Sequence, residues 1–330
     1  MTRPPDKTTA VQRKQVPEWL RRIDDPWGIT WRVINAVRRI DPGKIARFQM
    51  ARFQMIRFER PIFILGAPRS GTTTLFHLLS HHARLGSLWR EGHDMWRRYH
   101  HPRRREWKSD RIAAGEVSPA ERAYIHRYLR AHFPESRFVE KTPENCLRIP
   151  YLLELFPDAM FVVIRRDPRA VVSSLINGWR HPEGRFRSYF VPEKLEMPGH
   201  TRPHQWSFTL IEGWRDYKAR TIPEIAAEQW RQSVLGLDEG RRLVHADRWR
   251  EISLEEYSAN TMGTIEPLLE WLGLPSDDEM TRFMTEARAV NVLEGGDWRK
   301  NEAEVLAVLK PLAREIEISG YDPRALGITS

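Results

Sequence analysis

Between Phe63 and Leu79 the chain reads FILGAPRSGTTTLFHLL. Gly66 and Gly71 stand five residues apart at the end of an apolar run, and Ser70, Gly71, Thr72, Thr73 and Thr74 lead into a stretch with helical periodicity. Successive backbone N–H groups at a helix N-terminus make an anion site, to which the three threonines add hydroxyl donors. The frame is that of a phosphate-binding loop, Gly-x-x-x-x-Gly-Lys-Ser/Thr, except that Thr72 holds the lysine position and Arg69 sits inside the loop. In enzymes of ATP and GTP that lysine reaches the β- and γ-phosphates. Its absence argues against transfer of a terminal phosphoryl group, while Arg69 still supplies positive charge. A second stretch, FVVIRRDPRAVVSSL from Phe161 to Leu175, places Arg166 after another apolar run and Ser174 eight residues later. Arg165 and Arg169 compete within the same turn, and on its own RRDPR reads as a solvated basic turn.

Together the two stretches resemble the sulfotransferases that use 3′-phosphoadenosine 5′-phosphosulfate. GAPRSGTTTL looks like their 5′-phosphosulfate loop, and Arg166 with Ser174 looks like the pair that holds the 3′-phosphate. RFVEKTPENC is similar to the Lys-x-Pro segment of the tyrosylprotein and related bacterial branch, which implies Lys141 as the catalytic lysine. SLWREGHDMW lies where that branch carries its catalytic glutamate, which implies Glu91 as the base. His93 and Asp94 stay open as alternatives, since the cytosolic branch uses a histidine. The tail segment GGDWRK implies Trp298, Arg299 and Lys300 as residues that close over the cofactor. The resemblance spans roughly residues 60–325. It implies sulfuryl transfer to a hydroxyl of a glycan, a glycolipid or another small acceptor, with no metal. A carboxylate takes the acceptor's proton, and Lys141 and Arg69 stabilise the charge left on the departing bisphosphate.

Two other chemistries fit part of the pattern. A small-molecule kinase needs replacements for the loop lysine and for a metal carboxylate, and Asp167 is available for the second. A nucleic-acid-binding protein draws on the net charge of +9, from 53 Lys and Arg, and on segments rich in Trp and Arg. A coding bias toward arginine produces the same excess, so charge alone decides nothing, and no nucleic-acid partner is expected.

These groups need a scaffold that brings them together. The apolar run at 62–65, a short run beginning at Phe138 and Val139, and the run at 161–164 read as buried strands. Helices are expected over 70–82, 118–133, 149–156 and from 170 to about 177. Strand, loop and helix in repetition predict an α/β fold, a mostly parallel sheet flanked by helices with its ligands at the carboxyl ends of the strands. Residues 86–108 read as loop with some helix. Residues 178–222 read as a long irregular acceptor-side insertion, whose Trp179, His181, Arg185, His200, His204, Trp206 and Trp214 suit either a sugar or aromatic acceptor or a packed lid. Further helices are expected at 223–237, 255–272 (ended by Gly273) and 301–318. Residues 243–252 are ambiguous between strand and loop.

Residues 1–60 are expected to form a tail and a helical extension packed on the main domain, and residues 61–330 that domain. ARFQM occurs twice, at 46–50 and 51–55, with a period that matches neither helix nor strand. The 330 residues are enough for a sizeable core. Cys146 is the only cysteine, so neither an intramolecular disulfide nor a cysteine-based zinc site is expected. Adjacent histidines, His81–His82 and His100–His101, diverge on a helix and do not read as metal ligands. No apolar run approaches the roughly 20 residues of a membrane span, and the first residues lack the apolar stretch of a signal peptide. The cytoplasm is the expected compartment.

Overall fold

The computed structural model describes residues 57–275, 277, 280–282 and 297–328. The expected helical extension and the ARFQM duplication lie outside them, apart from residues 57–60, which are not helical and lead directly into the first strand. Strands β1 (Ile62–Leu65), β2 (Gly86–Ser87), β3 (Phe138–Glu140) and β4 (Met160–Arg165) belong to one sheet. Strands β5 (Arg187–Phe190) and β6 (Gln205–Ser207) pair only with each other, antiparallel, and β7 (Trp249–Ser253) completes the main sheet. The main sheet runs β2–β3–β1–β4–β7, and every pairing in it is parallel. Ile62 stands opposite both Val139 and Met160, so β1 is central.

The strands alternate between two covered faces, which is why β1 and β4 are apolar almost throughout. On one face Ile62, Ile64, Val162 and Ile164 pack beneath helices α1 (Thr72–Ser80), α7 (Leu254–Ala259) and α8 (Thr261–Leu272). On the other, Phe63, Leu65, Phe138, Phe161 and Val163 pack beneath α2 (His93–His100), α3 (Pro119–His132) and α4 (Ile149–Leu155). Phe63 stacks on Phe161 at 5.8 Å and meets the edge of Phe138 at 5.9 Å. Such pairs each contribute about 0.5–1.5 kcal/mol beyond area burial. A third cluster joins α5 (Pro168–Trp179), α6 (Ile222–Leu243) and α9 (Glu302–Leu309) to the 178–222 insertion, and α10 (Ala313–Ile318) closes it.

Local chemistry sets the element ends. The Ser118 hydroxyl accepts from the Glu121 amide at 3.1 Å, as its position before Pro119 predicts. Thr221 and Glu224 form a capping box on α6. Asn260 divides the expected 255–272 helix into α7 and α8 and caps the second, accepting from Gly263 N at 3.0 Å. Pro311 lies in a 3₁₀ turn, Lys310–Leu312, that divides the expected last helix into α9 and α10.

Two strands were not readable as such. β2 is a Gly-Ser pair with no apolar pattern, and a Cβ on Gly86 would lie 2.1 Å from the Phe133 ring. β7 is the sheet edge, with only Ile252 of its residues buried. The insertion differs from its expected irregularity. It contains the β5–β6 hairpin, and Trp179, Trp206 and Trp214 are fully buried, with Trp179 meeting Trp206 edge-on at 5.1 Å. These tryptophans form a core and are not an acceptor surface. Among the described residues no helix is long and apolar enough to cross a membrane.

Candidate active site

The strand order delivers the singled-out residues to one edge in a line. Glu91 follows β2, Lys141 follows β3, the 66–71 loop follows β1, and Arg166 follows β4. Neighbouring strand ends lie about 4.8 Å apart, so Arg69 and Arg166, 97 residues apart in the chain, come into contact.

The loop is shaped by what its glycines lack. A Cβ on Gly66 would lie 2.9 Å from both the Ile164 carbonyl and the Thr72 methyl group. Gly71, the N-cap of α1, has φ 91° and lies against Leu254. Arg69 holds a left-handed φ of 76° without being glycine, a strained conformation of the sort that accumulates at functional loops. Thr74 N donates to the Gly71 carbonyl at 3.1 Å, which leaves the Thr72 and Thr73 amides as the unpaired donors at the start of α1.

Arg69, Arg166 and Ser174 meet. Arg69 Nε donates to Ser174 Oγ at 3.0 Å, and Arg166 Nη1 donates to the Arg69 carbonyl at 2.9 Å. Burial, with Arg166 and Arg185 close by, pushes the Arg69 guanidinium below its usual range. Burial does the same to Arg166. Among the described residues neither arginine is in an ion pair. The result is a partly desolvated cluster of cations and hydroxyls that an anion would stabilise. Arg69 also lies over the Phe186 ring, 4.7 Å from its centroid, and Phe186 stacks on Phe208 at 5.1 Å. The insertion therefore touches the loop through Phe186, a contact without a sequence signal.

On the other side of the loop, Lys141 Nζ donates to Thr73 Oγ1 at 2.9 Å and forms a close ion pair with Glu91 Oε1. The lysine is buried, whereas a third of the Glu91 side chain is exposed. Glu91 Oε2 is hydrogen-bonded to His93 Nε2 at 2.7 Å. Burial alone would raise the Glu91 carboxyl. The His93 hydrogen bond and the Lys141 charge outweigh it and hold that carboxyl at about 2. Asp94, the third candidate, is half out in solvent on an ion pair with Arg90 at 3.0 Å.

A buried carboxylate fixes this corner. Glu140 ends β3 with its side chain inward, while Lys141, the next residue, faces the site. Glu140 Oε1 accepts from Gly92 N at 3.2 Å, Trp96 Nε1 at 3.2 Å and Thr142 Oγ1 at 2.5 Å; Oε2 accepts from Asn145 Nδ2 at 2.5 Å. Gly92 N also reaches Thr142 Oγ1 at 2.9 Å. The loop that carries Glu91 is thus tied to the strand that carries Lys141. Sequence reasoning missed Glu140. Its signal is an acidic residue closing a strand whose other members, Phe138 and Val139, are apolar.

Trp298, Arg299 and Lys300 lie in a 3₁₀ turn, Trp298–Asn301, docked on α5. Asn301 Nδ2 donates to Ser173 Oγ at 2.9 Å, and the Trp298 ring lies 4.6 Å from the Arg169 guanidinium. The turn thus rests on the helix that carries Ser174. Arg299 and Lys300 are exposed.

Residues 61–207 match the model of the sulfotransferase family. The chain is 32% identical over 142 residues to the nodulation protein NoeE of Sinorhizobium fredii, covering 36% of this chain and 32% of that protein. It is 30% identical over 132 residues to protein-tyrosine sulfotransferase A of Caenorhabditis elegans, covering 35% of this chain and 33% of that one. The chain thus spans about a third of the length of these curated relatives. The fold is similar to that of the sulfotransferase STF9 of Mycobacterium avium, with a TM-score of 0.51 and 17% identity over 83% of this chain and 80% of that one. The matched segment includes the loop, Glu91, Lys141, Arg166 and Ser174.

Proposed function

We propose that the chain transfers a sulfuryl group from 3′-phosphoadenosine 5′-phosphosulfate to a hydroxyl acceptor. The observation that carries the reading is the line of strand ends: a carboxylate, a buried lysine, an anion loop and an arginine–serine pair, in that order. The donor set fits the nucleotide. The α1 amides, Thr72, Thr73 and Thr74 offer hydrogen bonds to the 5′ group, with Ser70 and Gly71 shaping the loop. Arg166 and Ser174 offer a fork and a hydroxyl to the 3′-phosphate once Arg69 releases the serine. Trp298, Arg299 and Lys300, in the turn that rests on α5 through Asn301 and Arg169, close over the nucleotide.

When bound, the donor supplies a sulfuryl group joined through one oxygen to a phosphate leaving group. Glu91 takes the acceptor hydroxyl's proton while the acceptor oxygen bonds to sulfur. The sulfur–oxygen bond to phosphate breaks, and its electron pair leaves with the bisphosphate. Lys141 is placed to exchange Glu91 for the departing oxygen. That exchange frees Glu91 Oε1 and raises its basicity where a proton must be taken. Lys141 and Arg69 together meet the charge that develops on the leaving group. No step requires a metal.

The kinase reading loses its metal carboxylate. Asp167 caps α5, accepting from Arg169 N at 2.8 Å, and is paired with the Arg169 guanidinium at 2.7 Å. The acceptor is a glycan, glycolipid or other small hydroxyl compound, and the setting is cytoplasmic, where the buried Cys146 stays reduced. Titration calorimetry without magnesium tests the reading. The chain should bind 3′,5′-bisphosphoadenosine well ahead of AMP or ATP. Equal affinity for AMP and the bisphosphate sinks the 3′-phosphate assignment, and binding only to DNA or RNA with a steep salt dependence would favour the nucleic-acid reading.

A further inference from the structure

His93 stands between two carboxylates. Its Nε2 lies 2.7 Å from Glu91 Oε2 and its Nδ1 lies 3.5 Å from Glu144 Oε1. Glu144 comes from the 3₁₀ turn Pro143–Leu147, three residues after Lys141, and is buried. The same Oε1 accepts from Arg97 Nη2 at 3.0 Å, while Oε2 is buried with no hydrogen-bond partner. Arg97 lies over the Tyr189 ring at 4.4 Å, and the Tyr189 hydroxyl donates to Asp110 at 2.5 Å. The line of contacts thus runs from the Glu91 carboxylate to the β5–β6 hairpin of the insertion.

We infer that Glu144 is a positioning residue for the proposed base: it holds His93 as an imidazolium, and His93 in turn fixes which oxygen of Glu91 is free to act. This rests on the proposed role of Glu91. The hydrogen bond to Glu91 needs a proton on Nε2, and a second proton on Nδ1 is favoured by the charge of the Glu144 carboxylate 3.5 Å away. His93 then occupies Glu91 Oε2 permanently. Oε1, which Lys141 holds at rest, becomes the atom available when the lysine turns to the leaving group. No proton moves along the relay during the reaction; the relay keeps the carboxylate oriented. The groups that face His93 are Glu91 and Glu144, which favour its charged form, and Arg97 on its own helix, which opposes it. Burial also opposes it, and the carboxylates prevail, so the His93 imidazole is raised above its usual range.

The test is histidine-labelled NMR of the full chain, with the His93 ring signals identified by their loss in His93→Asn. In the native protein both ring nitrogens should be protonated at pH 6.5, with a midpoint above that value. Glu144→Gln should lower the midpoint by about one pH unit or more, that is, about tenfold in proton affinity. Glu144→Asp should restore most of the shift. Calorimetry with 3′,5′-bisphosphoadenosine should give the same affinity for Glu144→Gln and native protein within about twofold, since Glu144 touches no donor-binding residue. If Glu144→Gln does not fold, the native titration still decides: a neutral His93 at pH 6.5 overturns the inference. So does a His93 midpoint unmoved by Glu144→Gln. Neither result depends on sulfuryl transfer, and failure of the bisphosphate to bind native protein would refute the donor reading while leaving this titration intact.

Discussion

Arg166→Ala should separate two nucleotides that differ by one phosphate. Arg166 spends Nη1 on the Arg69 carbonyl at 2.9 Å, which leaves the rest of its fork for a ligand. A hydrogen bond to a charged group contributes about 1.5–3 kcal/mol, and a fork on phosphate makes two. Arg166 is only partly buried, so the lower half of that range applies, about 3 kcal/mol, or about 100-fold in affinity. Titration calorimetry with 3′,5′-bisphosphoadenosine should show that loss, while AMP, which has no 3′-phosphate, changes by less than about threefold. Arg166→Lys keeps the charge without the fork and should fall between the two. An unchanged ratio of bisphosphate to AMP affinity refutes the assignment. If both nucleotides weaken equally, Arg166 acts by shaping the loop through the Arg69 carbonyl and does not read the 3′-phosphate.

Glu91→Gln should lower turnover by about 10²–10⁴ while leaving bisphosphate affinity nearly intact; unaltered turnover moves the base role to His93 or another group. The Glu91 carboxyl lies below its ordinary 4.5, at about 2, so the stability it contributes is complete above the ordinary value and is lost as pH falls toward the lower one. Urea unfolding of native protein and Glu91→Gln should differ by a constant amount above pH 4.5 and converge below it; a gap that widens with acid contradicts the ion pair. Gly71→Ala combines a left-handed φ, costing about 1–2 kcal/mol, with a Cβ 2.7 Å from Leu254 Cδ1, where overpacking adds about 1–3 kcal/mol. Denaturant unfolding should show the sum, and a change under about 0.5 kcal/mol would mean that Leu254 yields freely.

The placement of the loop and of the arginine–serine pair was legible in the sequence because their signals are local. Gly66 to Thr74 and Arg166 to Ser174 each fit within one strand–turn–helix unit, and both units formed where the apolar runs placed them. The tyrosylprotein-like placement of Lys141 and Glu91 brought together two residues that the structure joins in an ion pair. The contacts that tune these residues were not legible. His93 was noticed only as a rival to Glu91, whereas it is hydrogen-bonded to it. Glu144 lay unread inside KTPENC, since a buried carboxylate in a turn looks like any acidic loop residue until its partners are known. The insertion's tryptophans were ambiguous for a related reason: composition gives aromatic content, but only packing tells a core from a platform. β2 escaped because two residues carry no period at all.

Arg69 has a consequence for how such a protein can diversify. One side chain rests on Ser174 of α5 and on Phe186 of the insertion. A lineage that remodels the hairpin for a new acceptor changes the surface on which this arginine lies when idle, and with it the ease of vacating Ser174. If the proposed function holds, acceptor preference and nucleotide affinity are then pleiotropic traits of one residue. Adaptation of the insertion is steered toward changes that spare Phe186 or are matched by a second change in the loop.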